Sequence, residues 1–250
     1  MANRKHYNLQ QMVASGYSAD HTHNHKFGAA PAISINTTSS IWDVQGLYPW
    51  SALDTPAVVN VERNDAADTG LVVTVQGLDA NWAYQTEDIT ITGADQVGTK
   101  LWRRVNRAFI THPTIQTNTG NIDIEAGAAG GTTVARISAG LGQTLMAVYT
   151  VPAGYIGYLY QGTMTIQEGG DATGYMYIRR NGQGTNFRVG HTFEVGNSAY
   201  NYKFSVPPAI PEKSDIDVRA FVRANNSRVT ASFDILLVEN DPEAPITDLL

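Results

Sequence analysis

From Thr55 onward, apolar residues in this chain recur at every second position rather than every third or fourth. The runs LVVTVQGLD (71–79) and YQTEDITIT (84–92) both alternate in this way, and they flank a turn at Asp79, Ala80 and Asn81. Ile122 and Ile124 alternate within GNIDIEAG, Ile216, Val218, Ala220 and Val222 do so later, and Phe233, Ile235 and Leu237 repeat the pattern. A period of two places successive side chains on opposite faces of an extended strand, whereas a helix needs a period near 3.6. Short strands of this kind, separated by turns rich in Gly, Pro and Asn, predict an all-β chain built from antiparallel sandwiches or barrel-like sheets. No fixed-period repeat accompanies them, which disfavours a propeller or solenoid.

At 250 residues the chain is long enough for one large or two ordinary β-domains. The Gly-rich stretch GAAGGTTVARISAGLGQ (127–143) is the clearest break in the pattern. The expected organisation is therefore an extended N-terminal arm over 1–26, an N-terminal β-domain over 27–135, and a C-terminal, jelly-roll-like β-sandwich over 136–250. Within the arm, Leu9, Met12 and Val13 could share one face of a short helix that must dock on something to be stable. The tail DPEAPITDLL reads as an acidic, extended terminal segment.

Composition removes several functional classes. The net charge is −6, so neither nucleic acid nor an anionic membrane surface is an expected partner. There is no cysteine, which excludes disulfides and thiolate catalysis and leaves His, carboxylate or carbonyl oxygen as metal ligands. The N-terminus lacks the apolar core of a signal peptide, and no apolar run approaches the length of a membrane span. No Ser lies in a nucleophile elbow, and GAAGGTT is not followed by the Lys of a phosphate-binding loop. An enzyme is therefore not expected, and no cofactor is called for.

Three constellations remain. In ADHTHNHKF, alternation along a strand would put His21, His23 and His25 on one face, where they could bind a divalent cation or meet at the axis of a homotrimer; a solvated polar arm is the alternative. Asp215 and Asp217 share a face and read as part of a solvated sheet surface, whereas Glu87 and Asp88 point to opposite sides. Arg103, Arg104 and Arg107 in WRRVNR suit salt bridges to an acidic neighbouring surface better than nucleic acid. The tyrosines of the second half, among them Tyr149, Tyr160, Tyr200 and Tyr202, suit a core or interface, with a sugar-stacking platform as the rival reading.

The stretch SSIWDVQGLYPW (39–50) is aromatic and irregular, unlike the alternating runs C-terminal to it. Together with KFGAAPAISINTT ahead of it, and with VQGLDANWAYQTEDITITG, WRRVNRAFI, GQTLMAVYTVPAGYIGYLY and PEKSDIDVRAFVRANNSRVTASFDILLVEN in this order, it resembles a family of virion structural proteins of tailed, marine-type bacteriophages. The resemblance covers nearly the whole chain from Lys26. It implies a non-enzymatic virion protein, with a head decoration or cement role first and a tail or head–tail connector role second. It further implies assembly in the bacterial cytoplasm, the major capsid protein or other virion proteins as partners, and a homo-oligomer, a trimer being one arrangement. Ile41, Trp42, Leu47, Tyr48 and Trp50 are then expected to anchor the arm-side segment on the first β-domain or on a partner subunit, with Asp43 and Gly46 shaping the turn. From a different functional class, a carbohydrate-binding module attaching to host glycans is the competing expectation.

Overall fold

The computed structural model describes residues 9–111, 114, 117–167, 170–196 and 199–240. The first eight residues of the expected arm and the acidic tail lie outside the described residues. The chain is all-β. Its strands are β1 (His21–Ile33), β2 (Thr38–Ser40), β3 (Val59–Arg63), β4 (Val72–Leu78), β5 (Tyr84–Thr90), β6 (Asp95–Val97), β7 (Arg104–Ile110), β8 (Ile122–Ala126) and β9 (Thr132–Ile137). They continue with β10 (Val148–Thr150), β11 (Tyr155–Ile166), β12 (Ala172–Arg179), β13 (Arg188–Val195), β14 (Tyr200–Lys203), β15 (Ala209–Ile210), β16 (Asp215–Val222) and β17 (Ser227–Glu239). A short α-helix, α1 (Leu9–Ala14), lies beside β1, and two 3-10 turns occur at Trp50–Leu53 and Ala66–Asp68. No helix among the described residues is long and apolar enough to cross a membrane.

These strands form four small sheets. One has the order β1-β17-β11-β14, with β15 also on β11; a second has the order β10-β16-β12-β13, with β2 also on β16. Both contribute to a single buried cluster that includes Ile33, Leu159, Met176, Ile216, Val218, Phe233 and Ile235. The third and fourth sheets, β6-β3-β8-β9 and β5-β4-β7, share a separate cluster around Val61, Val73, Trp102, Ile122 and Ile124. Their edges meet twice, with β7 beside β9 and β5 beside β6. Few strand edges in this unit are left open to pair with other chains.

The two clusters are not consecutive in sequence. β2 and β10 both pair with β16, Ser40 opposite Arg219 and Val148 opposite Asp217, so they lie end to end along one neighbour. Between them, Val218 accepts from Ile41 N and donates to Ala147 O, and Ala147 N donates to Ile41 O. Residues 42–146 are thus an insertion into an interrupted strand, and the chain leaves and returns through one narrow neck.

This differs from the expected domain limits. The arm boundary at residue 26 falls inside β1, which pairs with β17 from His21↔Val238 to Ile33↔Ser227. The boundary at residues 135 and 136 falls inside β9. The physical reason is that a first-to-last strand pairing leaves no local trace. Its signal lies in a partner some two hundred residues away, while the Gly-rich stretch marks only the hairpin turn after β8 and the return towards the neck.

Candidate functional site

Four of the eight buried charged residues among the described residues, Lys26, Arg104, Asp215 and Asp217, lie at the neck or on the surfaces around it. The segment 39–50 crosses it. Ile41 is fully buried in the outer unit's core, whereas Trp42, Tyr48 and Trp50 belong to the core of the inserted unit. Gln45 and Gly46 take positive φ (67° and 70°), and the turn they make is closed by Ser39 Oγ and Trp42 Nε1, which both donate to Gly46 O, at 3.1 and 3.0 Å. Tyr48 N donates to Ser40 Oγ at 2.9 Å. The three rings meet edge to face, Trp42–Tyr48 at 5.0 Å and Tyr48–Trp50 at 4.7 Å between centroids, a favoured aromatic geometry. Leu47 is the exception, 55% exposed at the tip. Asp43 lies away from the turn's closure: its carboxylate accepts from Ser138 Oγ at 2.8 Å, and burial raises its pKa to about 6.

Beneath these rings lie Asp215 and Asp217, 2% and 0% exposed. The expectation of a solvated face is overturned here. Asp215 accepts from Arg104 Nε at 3.0 Å, Arg179 Nε at 2.8 Å and Thr150 Oγ1 at 2.6 Å. Arg104 comes from β7 in the inserted unit, and the other three residues belong to the outer unit. Arg104 also reaches Asp54 at 3.2 Å. Asp217 accepts from Trp50 Nε1 at 2.9 Å and from Arg219 at 2.8 Å. Burial pushes the Asp217 carboxyl above its ordinary range against the pull of Arg219 and Trp50. Guanidinium groups also lie over rings: Arg104 over Trp50 and Trp82, Arg179 over Trp50 and Phe187, and Arg219 over Tyr177 and Phe187. Such planar, stacked and multiply bonded pairs suit Arg rather than Lys.

The chemistry available to this network is limited. Each carboxylate is engaged by guanidinium and neutral donors. What the arrangement does is join two β-units through charges that are costly to separate. Lys26 of β1 adds a further tie. It is buried, its Nζ donates to the main-chain oxygen of Asn106 on β7, and burial followed by the nearby Arg107 charge lowers its pKa to about 7.

The remaining residues expected to matter separate. Arg103 donates to Asp54 O at 2.5 Å and lies over Trp82, and exposed Arg107 donates to Gln143 Oε1 at 2.8 Å. Only Arg104 of the three makes a carboxylate pair. His23 Nε2 and His25 Nδ1 both approach Asp234 Oδ1, at 3.2 and 2.6 Å, while His21 Nδ1 meets Ser18 Oγ at 2.8 Å. Burial acts to raise the Asp234 pKa, but Gln161 and the two histidines outweigh it and hold it below the ordinary range. The three histidines are thus not brought together as one ligand set, and no group of three or more His, Cys, Asp or Glu among the described residues is placed to hold a metal ion. Glu87 is buried and accepts from Thr99 N, while Asp88 accepts from Thr74.

Sequence reading missed Arg179, Arg219, Trp82 and Phe187. A signal exists for Arg219: it lies two residues beyond Asp217 on one strand, so it can fold back onto it. A second feature, of which the sequence reading singled out only Tyr200 and Tyr202, lies at the open side of the outer unit. There His191, Phe193, Tyr200, Tyr202 and Phe204 form one aromatic seam between β13 and β14, with Phe193 and Tyr202 nearly parallel at 5.8 Å.

No protein-family model matches the chain, and no curated protein matches it. Among solved structures, a chain from the structure of infectious bursal disease virus strain Gx shares 8% identity, over 89% of this chain and 72% of that one, at a TM-score of 0.27. A chain from strain Gt shares 12% identity, over 90% of this chain and 82% of that one, at a TM-score of 0.13. Likenesses this loose carry no weight for fold or function.

Proposed function

We propose that this chain is a non-enzymatic structural protein of a tailed-phage virion, acting as a head decoration or cement protein that binds the capsid lattice as a homo-oligomer. The observation that supports this reading is the strand order of the outer unit. Numbered among themselves, β1, β10, β11, β12, β13, β14, β16 and β17 give sheets ordered 1-8-3-6 and 2-7-4-5, with every neighbouring pair antiparallel. That order is what a long hairpin makes when it wraps into a jelly roll, and we infer a jelly-roll sandwich with a second sandwich inserted in its second strand. Jelly rolls recur in capsid proteins, lectins and cupins, so this support is by analogy of fold. The junction adds a physical reason: a protein that bridges lattice neighbours needs two units held at a fixed angle, and buried ion pairs give orientation more readily than stability.

Locating the chain in intact particles by cryo-electron microscopy tests the proposal. Density for it on the head, in contact with the major capsid protein, is the expected result. Density on the tail or at the connector would replace the decoration role with that one, and absence from the particle would end the virion reading. A second reading, a carbohydrate-binding module, is favoured by the open hollow lined by Tyr160, Lys203, Phe204, Ser205 and Pro207. Saturable, sub-millimolar sugar binding read by Tyr and Trp fluorescence would support it.

A further inference from the structure

β12 and β13 run into a small hollow at one end of the outer unit, about 190 Å³ in volume, whose lining includes Ile178, Arg180, Gln183, Asn186, Arg188 and Gly190. The ladder between the two strands slips by one residue here. Met176 stands opposite His191 and Tyr177 opposite Val189, so Gly190 is the extra residue of a β-bulge. Residues directly opposite each other in an antiparallel pair share a face, and Ile178 belongs to the outer unit's core. The bulge therefore sets Arg188, opposite Ile178, on the core side and turns Val189 to the other face, where it is 47% exposed. Without the extra residue Val189 would stand opposite Ile178 and Arg188 would face outward. A charged side chain turned in while an apolar one is turned out reverses the ordinary patterning of a strand. The bulge also depends on Gly, since a Cβ at residue 190 would lie 2.7 Å from Ile178 Cδ1.

Arg180 reaches the same hollow from the end of β12. Its Nη1 donates to Ala209 O on β15, a strand of the other sheet of the outer unit, at 3.1 Å, so it too lies on the core side. It is half-buried, and burial lowers its pKa with no opposing charge to hold it up. Arg188 Nη1 donates to Gln183 Oε1 at 3.1 Å, again a neutral acceptor. Arg104, Arg136, Arg179, Arg219 and Arg223 each pair with a carboxylate. Arg180 and Arg188 pair with none among the described residues, and no Asp or Glu lines the hollow. A bulge and an inward charge are one way in which an edge strand such as β13 avoids pairing with another chain. That accounts for Arg188 alone. It gives no reason for a second guanidinium, from the neighbouring strand, to face the same hollow, where the two charges repel unless an anion lies between them.

We propose that Arg180 and Arg188 bind a phosphate group in this hollow, with the exposed amides of Gln183 and Asn186 at its rim. The volume lies below the roughly 300 Å³ at which small-molecule pockets begin, so it admits one anionic group rather than a whole nucleotide or sugar. Guanidinium N–H pairs match phosphate oxygens, and a tetrahedral dianion can meet donors from several sides where a planar carboxylate meets them in one plane. The full chain, titrated with sodium phosphate at constant ionic strength, is read by its thermal midpoint and by phosphorus NMR line width. Saturable binding is expected, with a midpoint that rises with phosphate concentration by mass action. Arg180→Gln and Arg188→Gln are each expected to weaken binding by about tenfold or more. Arg228→Gln, which removes an exposed charge on β17, is expected to leave it unchanged. Should Arg180→Gln fail to fold, Arg188→Gln on the exposed edge strand still decides the matter. Glycerol phosphate that displaces inorganic phosphate would extend the site to phosphate esters, and failure to displace it would restrict the site to the free ion. No saturation at tens of millimolar phosphate would overturn the site. So would equal weakening by Arg188→Gln and Arg228→Gln, or acetate bound as tightly as phosphate.

Discussion

Replacing Asp215 by Asn keeps the size of the side chain and removes the charge that joins the two units. Asp215 holds two guanidinium groups and a hydroxyl at once, and the Arg104 side chain it faces is only 4% exposed. An amide offers one accepting oxygen, and its NH₂ must face a donor, so at least one arginine loses its partner while still buried. Removing one side of a buried ion pair costs about 3–5 kcal/mol. Asp54 still reaches Arg104 at 3.2 Å, but it is half exposed and screened, so about 3 kcal/mol is the expected loss. For a chain of this size that corresponds to a midpoint lower by about 6–12 °C. Urea unfolding followed by tryptophan fluorescence reads it well, because Trp50 lies against Asp217 at the junction. The two units are expected to unfold in separate steps in the variant, and Asp54→Asn to cost less than about 1 kcal/mol. A change below about 1 kcal/mol for Asp215→Asn, with a single unshifted transition, would refute the view of the junction as a charge-dependent weld.

The buried Lys26 predicts a pH dependence of known sign. Its folded pKa, about 7, lies below its ordinary 10.5, so the folded state holds fewer protons between these values and stability rises with pH across that window, by up to about 1.4 kcal/mol per pH unit. Lys26→Met should abolish the slope and be at least as stable at pH 7; a variant that keeps the slope would show that another group carries it. Gly28→Ala tests the neck: a Cβ there would lie 2.3 Å from Ile41 O and 2.4 Å from Ala147 N, the rung that closes the insertion. A loss of about 1–3 kcal/mol, measured by urea unfolding, is expected from such overpacking, and an unchanged midpoint would mean that the neck yields freely.

Much of the architecture is legible in the sequence because strands announce themselves locally. The hairpin read at 71–92 is β4 and β5, and the alternation at Ile122 and at Ile216–Val222 marks β8 and β16. Partnership is not legible in the same way. His21 to Ile33 reads as an arm running into irregular chain, since its alternation is broken by Gly28, Ala29, Ala30 and Pro31 and its partner is the final strand. Asp215 and Asp217 do share a face, as their spacing implies. That face reads as solvated because two acids on a strand are normally met by water, and the arginines that cover them come from β7, β12 and β16 itself. The aromatic run 39–50 is legible as a packing element, but not as one divided between two cores at Ile41 and Trp42.

The interrupted strand also sets an order of events during synthesis. Every strand of the inserted unit has been made once Ile137 is added, and its pairings are all internal to it. Its local connections favour early closure, ahead of anything with distant partners. β1 is made before any of these strands, yet its partner β17 is the last strand among the described residues. Until β17 is made, a thirteen-residue strand therefore waits with its ladder groups unfilled. The polar half of β1, with its three histidines and Lys26, is suited to that wait, because a charged or polar edge resists pairing with the wrong chain. A ribosome that stops before Ser227 releases an inner unit tethered to an unpartnered strand, and the outer unit closes only when β17 arrives.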